Sequence, residues 1–180
     1  MSLDYLDQQL DAIRARAAAV QKNLTVTNEA VRKDPSLSPL GRDNALAAIA
    51  DQAKNTMAGL RAEEDKLAED KRASLERTIA GTVGSDSASI INYRDAQDRA
   101  DKLENKEEAS RVMNRALTSG DKSLASAIAQ AAIARGWSDV YEPYAAKNPT
   151  IAEAVKDLTK LDRYFNDMGM VLHRAMAYSV

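Results

Sequence analysis

The stretch "RKDPSLSPLGRDN", residues 32–44, decides how the first half of the chain folds. Pro35 disfavours helical backbone at the residue before it, so a helix arriving from the N-terminus should end near Lys33. Ser38 followed by Pro39 is typical of a helix start, because serine can cap the first turn and proline needs no hydrogen-bonded N–H there. The loop between the two helices is about five residues long, which predicts an antiparallel return.

Apolar side chains recur at alternating steps of three and four residues on both sides of this loop. A pattern sustained in this way predicts that helices over residues 3–33 and 39–80 pack along a coiled-coil seam. Leu75 and Ile79 extend beyond the reach of the shorter first helix, so they should contact a different neighbour. The predicted hairpin seam consists of Leu3, Leu6, Leu10, Ile13, Val20, Leu24, Leu46, Ile49, Met57, Leu60 and Leu67.

Residues 81–89, "GTVGSDSAS", are small and polar and predict a linker between two domains. A phosphate-binding loop is the sharper interpretation of its two glycines, but no strand precedes it and no lysine follows the second glycine. The predicted domains are therefore a helical hairpin over 1–80 and a C-terminal helical domain over 90–180.

Helix-capping patterns follow one another in the second domain. Asn105 precedes Glu108 at the spacing of a capping box, and Asp121 precedes the alanine-rich run "LASAIAQAAIA". Asn148 and Pro149 predict the start of one long last helix. The fold class predicted for the whole chain is all-α, a long antiparallel hairpin followed by a compact, tetratricopeptide-like array of helices without a fixed repeat.

Composition excludes several kinds of chemistry. The chain has 25 Lys and Arg against 27 Asp and Glu and no cysteine, which disfavours nucleic-acid binding by bulk charge and rules out thiolate sites. His173 is the only histidine and has no partners at metal-ligand spacing. The acidic group Glu63, Glu64, Asp65, Glu69 and Asp70 is interpreted as a solvated helix face rather than as catalytic carboxylates. No catalytic, cofactor-binding or metal-binding residues are predicted, and we expect a protein that is not an enzyme.

Two groups of residues are candidates for partner contacts. Tyr5, Ala12, Ala19 and Val26 recur every seven residues beside the main seam, which suggests either a second helix packed there, as in a homo-oligomer, or chance. Trp137, Tyr141 and Tyr144 concentrate aromatic area in one turn and could form either a partner pocket or the anchor of a core. Leu75 and Ile79 complete the candidate contacts.

The segments "LSPLGRDNALAAIADQAKNTMAGLRAEEDKLAEDKRASLERTIAG" and "LTSGDKSLASAIAQAAIARGWSDVYEPYA" resemble alanine-rich helical virion-assembly proteins of tailed phages and prophages of actinobacteria. The resemblance covers residues 37–146. It implies a structural or assembly role at the capsid or at the head-to-tail connection, with capsid or portal proteins as partners. It implies no catalytic residues.

Two alternatives remain open: a transient internal scaffolding protein, or a cellular helical-repeat adaptor or chaperone that binds a peptide in a groove. We expect a location in the virion or in the host cytoplasm during assembly. The acidic N-terminus does not resemble a signal peptide, and the most apolar window is too short to cross a bilayer.

Overall fold

A computed structural model describes residues 3–81 and 87–180, and within these ranges the regular structure is entirely α-helical. The all-α prediction is therefore confirmed. The helices, in chain order, are α1 (Leu3–Lys33), α2 (Pro39–Ala80), α3 (Ser87–Asp101), α4 (Lys106–Ser119), α5 (Lys122–Ala134), α6 (Ser138–Ala146), α7 (Pro149–Asn166) and α8 (Met168–Ala177).

The loop between α1 and α2 is fixed by short-range hydrogen bonds. Asp34 Oδ1 accepts from the backbone N–H of Ser36 at 2.8 Å and from its hydroxyl at 2.6 Å. The hydroxyl of Ser38 accepts from the backbone N–H three residues later at 3.1 Å and so caps the first turn of α2. The end of α1 at Lys33 and the start of α2 at Pro39, which were predicted from the two prolines, are confirmed.

Two compact units divide the chain. The first comprises Met1–Lys71 and Leu161–Val180, and the second comprises Arg72–Lys160. The predicted division was different, with a linker at 81–89. Of that linker, residues 82–86 lie outside the described residues, and Ser87 already begins α3. The C-terminal segment belongs with the hairpin because its side chains complete the core of the first unit.

In the first unit, α1 and the adjoining part of α2 run antiparallel, as paired contacts show. Arg14 binds Glu64, whereas Arg16, further along α1, binds Glu63, which is earlier in α2. The buried cluster between these helices includes a tyrosine from the C-terminal segment. Its members are Ile13, Ala17, Met57, Leu60 and Tyr178, with Val20, Leu67 and Ala177 packed against it.

Burial along the predicted seam is greatest in its middle and decreases toward both ends. Leu6, Leu10, Ile13, Met57 and Leu60 are buried, and Leu3, Val20, Leu24, Leu46, Ile49 and Leu67 are half-buried. The seam positions nearest the α1–α2 loop thus keep part of their apolar surface in contact with water.

The prediction of one continuous last helix from Pro149 is wrong, because α7 and α8 are separated at Asp167. This residue has extended backbone, with φ −71° and ψ 122°, and its carboxylate accepts from the backbone N–H three residues later at 3.0 Å. An N-cap therefore interrupts the helix and changes the direction of the following side chains. Met168, Leu172 and Met176, which a continuous stripe would bury, are 79%, 59% and 65% exposed.

The second unit is organised around α5, which contacts α3, α4 and α6. Alanine at most of the buried positions of α5 lets these neighbours approach closely. The predicted caps are confirmed: Asn105 accepts from the N–H of Glu108 at 2.9 Å, and Asp121 accepts from the N–H of Leu124 at 3.0 Å. Gly120 ends α4 with a left-handed φ of 74°.

Candidate functional site

Glu64 is fully buried, with 0% of its surface exposed, and this is the largest departure from the predicted solvated acidic face. The prediction is wrong for this residue alone, since Glu69 and Asp70 are exposed and the side chains of Glu63 and Asp65 are 46% and 38% exposed. A buried carboxylate is costly unless hydrogen bonds and opposite charge compensate it. Its partners therefore define the candidate site.

Both oxygens of Glu64 are saturated with donors. Arg14 donates through Nη2 to Oε1 at 2.9 Å and through Nε to Oε2 at 3.1 Å, the two-point geometry that arginine forms with carboxylates. The hydroxyl of Tyr164 donates to Oε1 at 2.5 Å, and the hydroxyl of Tyr178 donates to Oε2. Arg174 Nε lies 3.2 Å from Oε1 and adds a second positive charge. We call these five residues the Glu64 cluster.

The charge states in the Glu64 cluster follow from these contacts. Burial by itself would raise the pKa of Glu64, but the hydrogen bonds from Arg14, Tyr164 and Tyr178 outweigh it, so this pKa lies below its ordinary value. The hydrogen bond to Glu64 raises the pKa of Arg14. Burial, together with the hydrogen bond to the carboxylate, raises the pKa of each tyrosine. At neutral pH the cluster therefore holds a carboxylate, two arginines and two neutral phenols.

The geometry of the Glu64 cluster suits a structural connection between helices. A carboxylate offers about four lone-pair positions, and four donated hydrogen bonds occupy them. No acceptor site on Glu64 remains for a substrate or a metal ion. The donors come from α1, α7 and α8 or its C-cap, so one carboxylate from α2 joins three other segments of the first unit.

Arg174 strengthens the attachment of α8. Its guanidinium carbon lies 4.2 Å from the centroid of the Tyr164 ring, a cation–π distance, and its Nη2 pairs with Asp65. Further along, the side-chain amide of Gln21 donates to the carbonyl of Ser179 at 2.9 Å. Polar contacts thus hold the C-terminal segment on the hairpin.

The opposite side of α8 carries apolar side chains that face solvent. Met168, Val171, Leu172 and Met176 fall at helical spacing on one side and are 79%, 39%, 59% and 65% exposed. We call these four residues the α8 face. Arg174 and Tyr178 point the other way, into the Glu64 cluster. The α8 face therefore stays in contact with water, whereas an ordinary surface helix packs its apolar side against the core.

The sequence-predicted partner contacts are not brought together. Tyr5 and Val26 are 47% and 60% exposed, and Ala12 and Ala19 are exposed on the same helix. Leu75 and Ile79 are buried and belong to the second unit. In that unit Trp137 and Tyr141 are half-buried and Tyr144 is buried.

The histidine and the possible metal and membrane features complete the survey of the described residues. His173 is exposed on α8. Within residues 3–81 and 87–180, no group of three or more metal-ligating side chains could hold a metal ion. No helix in the described part of the chain is long and apolar enough to span a bilayer.

Sequence reasoning missed the Glu64 cluster because its members lie far apart in the chain. Tyr164 and Tyr178 are 100 and 114 residues from Glu64.

No protein-family model, curated protein or solved structure matches the chain.

Proposed function

We propose that this chain is a non-enzymatic structural or assembly protein of a tailed-phage virion, associated with the capsid or with the head-to-tail connection. In this role the first unit is a rigid helical support, and the α8 face is the surface that docks on another virion protein. The resemblance of residues 37–146 to virion-assembly proteins supports the setting. The exposed α8 face is the observation that carries the docking role.

The exposure of the α8 face supports docking, because apolar side chains in contact with water are unfavourable unless a partner covers them. An amphipathic helix normally buries its apolar side against the core. Here Arg174 of α8 faces the Glu64 cluster, and the α8 face is left in water. Contiguous exposed apolar surface is typical of protein interaction sites, and methionine is common there because its flexible side chain adapts to a partner.

The charges around the α8 face indicate the chemistry of the partner. Residues 168–180 contain no Asp or Glu, and His173 and Arg174 are the only ionisable side chains of the helix. Beside it, Lys54 and Arg61 line a groove together with Ala175 and Val180, and each of the two cations also pairs with an acid of α2. A partner with an apolar patch and an acidic or neutral rim would complement this surface.

Fractionation of particles from the source strain tests the setting. If the proposal is correct, the chain is found in purified virions or in assembly intermediates. Presence in intermediates with loss from finished virions would favour the scaffolding alternative. Absence from every particle fraction, with a monomeric mass in solution, would refute the virion role. Recovery with host proteins in cells without phage genes would favour the adaptor alternative.

A variant pair tests the docking surface. Leu172→Gln combined with Met176→Gln replaces two exposed apolar side chains with amides, so folding should be unchanged and incorporation into particles should fall sharply. His173→Gln is the matched control, because it places the same amide on the same helix without removing apolar area. Equal incorporation of both variants and wild type would show that the α8 face is not used.

A further inference from the structure

A cleft of about 540 Å³ opens in the second unit, and its chemistry differs from that of the α8 face. Its walls come from five helices, α3 to α7, and Tyr93 on α3, Ser126 on α5 and Tyr144 on α6 are among the lining residues. Ligand pockets in proteins measure roughly 300–1,000 Å³, so the cleft has room for a few residues of a peptide or for a small molecule.

Hydroxyl groups supply hydrogen-bond donors to the cleft. The side-chain amide of Gln130 donates to the Tyr93 hydroxyl oxygen at 2.6 Å, which leaves the proton of Tyr93 available to an acceptor in the cleft. The hydroxyl of Tyr144 is hydrogen-bonded to Ser126, and these two residues are only 8% and 4% exposed. Burial raises the pKa of Tyr144, so its phenol stays protonated and remains a donor.

The charged side chains at the cleft also favour a ligand that is an acceptor with negative charge. Lys122 and Lys147 line it, and Asp121 is the single acid among the lining residues. Asp121 Oδ1 is engaged as the N-cap of α5, where it accepts from a backbone N–H at 3.0 Å. The cleft therefore presents two ammonium groups and the Tyr93 phenol to a ligand, and its one acid is already engaged as a helix cap.

Apolar side chains form the rest of the wall. Leu117 and Ile151, with Ala116 and Ala125, line the cleft beside the donors. A ligand that fits must therefore bring an acceptor with negative charge and an apolar group next to it.

We infer that this cleft binds a peptide segment that carries a carboxylate beside an apolar side chain. Such a segment could present the carboxylate of Asp or Glu or a free C-terminal carboxylate, and both share the same recognition by Lys122, Lys147 and Tyr93. A nucleic-acid ligand fits less well, because phosphate tracking needs a row of clustered basic residues and the chain has a net charge of −2. This inference is independent of the virion role.

NMR titration of the full chain tests the inference with short peptides. The probes are acetyl-ALEDL-amide, its neutral counterpart acetyl-ALQNL-amide, and acetyl-ALALV with a free C-terminal carboxylate. We expect saturable shifts of backbone resonances at Tyr93, Lys122 and Tyr144 with one or both carboxylate peptides. The neutral peptide should bind at least about ten-fold more weakly, since hydrogen bonds to charged groups are the strong ones.

Variants locate the binding. Lys122→Gln combined with Lys147→Gln should lower the affinity for the carboxylate peptide by about ten-fold or more, and Tyr93→Phe should also lower it. The far-UV circular dichroism and the melting temperature of these variants should be unchanged. Lys156→Gln, an exposed lysine of α7 that does not line the cleft, is the matched control and should bind as wild type does. Any of four results overturns the inference: no binding of either carboxylate peptide, equal binding of the neutral peptide, equal loss in the control, or stronger binding of a single-stranded oligonucleotide at the same residues.

Discussion

Replacement of the buried carboxylate by its isosteric amide is the most direct perturbation of the first unit. Glu64→Gln keeps the shape of the side chain but removes the negative charge that compensates Arg14 and Arg174. It also places an NH₂ group where two donors already point, because each oxygen of Glu64 accepts two hydrogen bonds in the structure. At least one donor of the cluster must then lose its acceptor.

The loss in the free energy of unfolding that we expect for Glu64→Gln follows from the burial of Glu64 and of its arginine partners. Removing one partner of a buried ion pair typically destabilises a protein by about 3–5 kcal/mol, because the remaining charge is left without compensation. The side chains of Glu64 and Arg174 are 0% and 12% exposed, so solvent screens them little. Against a total stability of about 5–15 kcal/mol for a typical domain, this loss would be a large part of the free energy of unfolding.

The neighbouring acid provides a matched control. Glu63 also pairs with an arginine of α1, Arg16, but the two side chains are 46% and 59% exposed. Glu63→Gln should therefore cost no more than about 1 kcal/mol. Urea unfolding followed by far-UV circular dichroism gives both values, and hydrogen exchange over 161–180 shows whether α8 loosens in Glu64→Gln. If the two variants unfold at the same urea concentration, or if exchange in α8 is unchanged, the Glu64 cluster does not hold the helix.

Three further predictions concern the first unit. Tyr178→Phe keeps the ring in the core but removes one hydrogen bond to a charged acceptor, so urea unfolding should show a loss of about 1.5–3 kcal/mol; an unchanged midpoint would mean that this hydroxyl contributes nothing. Because the folded pKa of Glu64 is below its ordinary value of 4.5, its stabilising contribution is present above that pH and is lost as the pH falls through the lower folded value. The stability difference between wild type and Glu64→Gln should therefore narrow when unfolding is measured at decreasing pH below 4.5, and a constant difference would contradict this assignment. Leu10→Asp places a carboxylate at a position that is 3% exposed and should cost at least about 3 kcal/mol, whereas Leu24→Asp, at a half-buried position, should cost less; equal melting temperatures would contradict the packing of the seam.

Local signals were sufficient wherever a helix end is set by residues adjacent in sequence. Pro35 acts on the backbone of the residue before it and Pro39 on its own, and the end of α1 and the start of α2 follow from them. The caps at Asn105 and Asp121 are equally local. At Asp167 the same kind of signal is present, but the prediction followed the apolar period that continues through it, from Leu161 to Met176. A cap within a periodic stretch ends a helix even when the period does not change.

The apolar stripe predicted for α2 contains gaps, and one of them coincides with Glu64. The predicted stripe of α2 steps from Leu60 to Leu67 and then to Leu75, and each gap is a whole heptad or more. The skipped positions are Glu64, which divides the first gap into steps of four and three, and Lys71, which divides the second into two steps of four; both are buried, at 0% and 8% exposed. A charged residue inside an apolar stripe must find a partner or stay in water, so such a gap predicts a buried polar contact. What the sequence cannot supply is the identity of that partner, because it depends on which distant segment packs across the seam. The C-terminal twenty residues, which provide Tyr164, Arg174 and Tyr178, take that position in the first unit and thereby leave their own apolar face exposed.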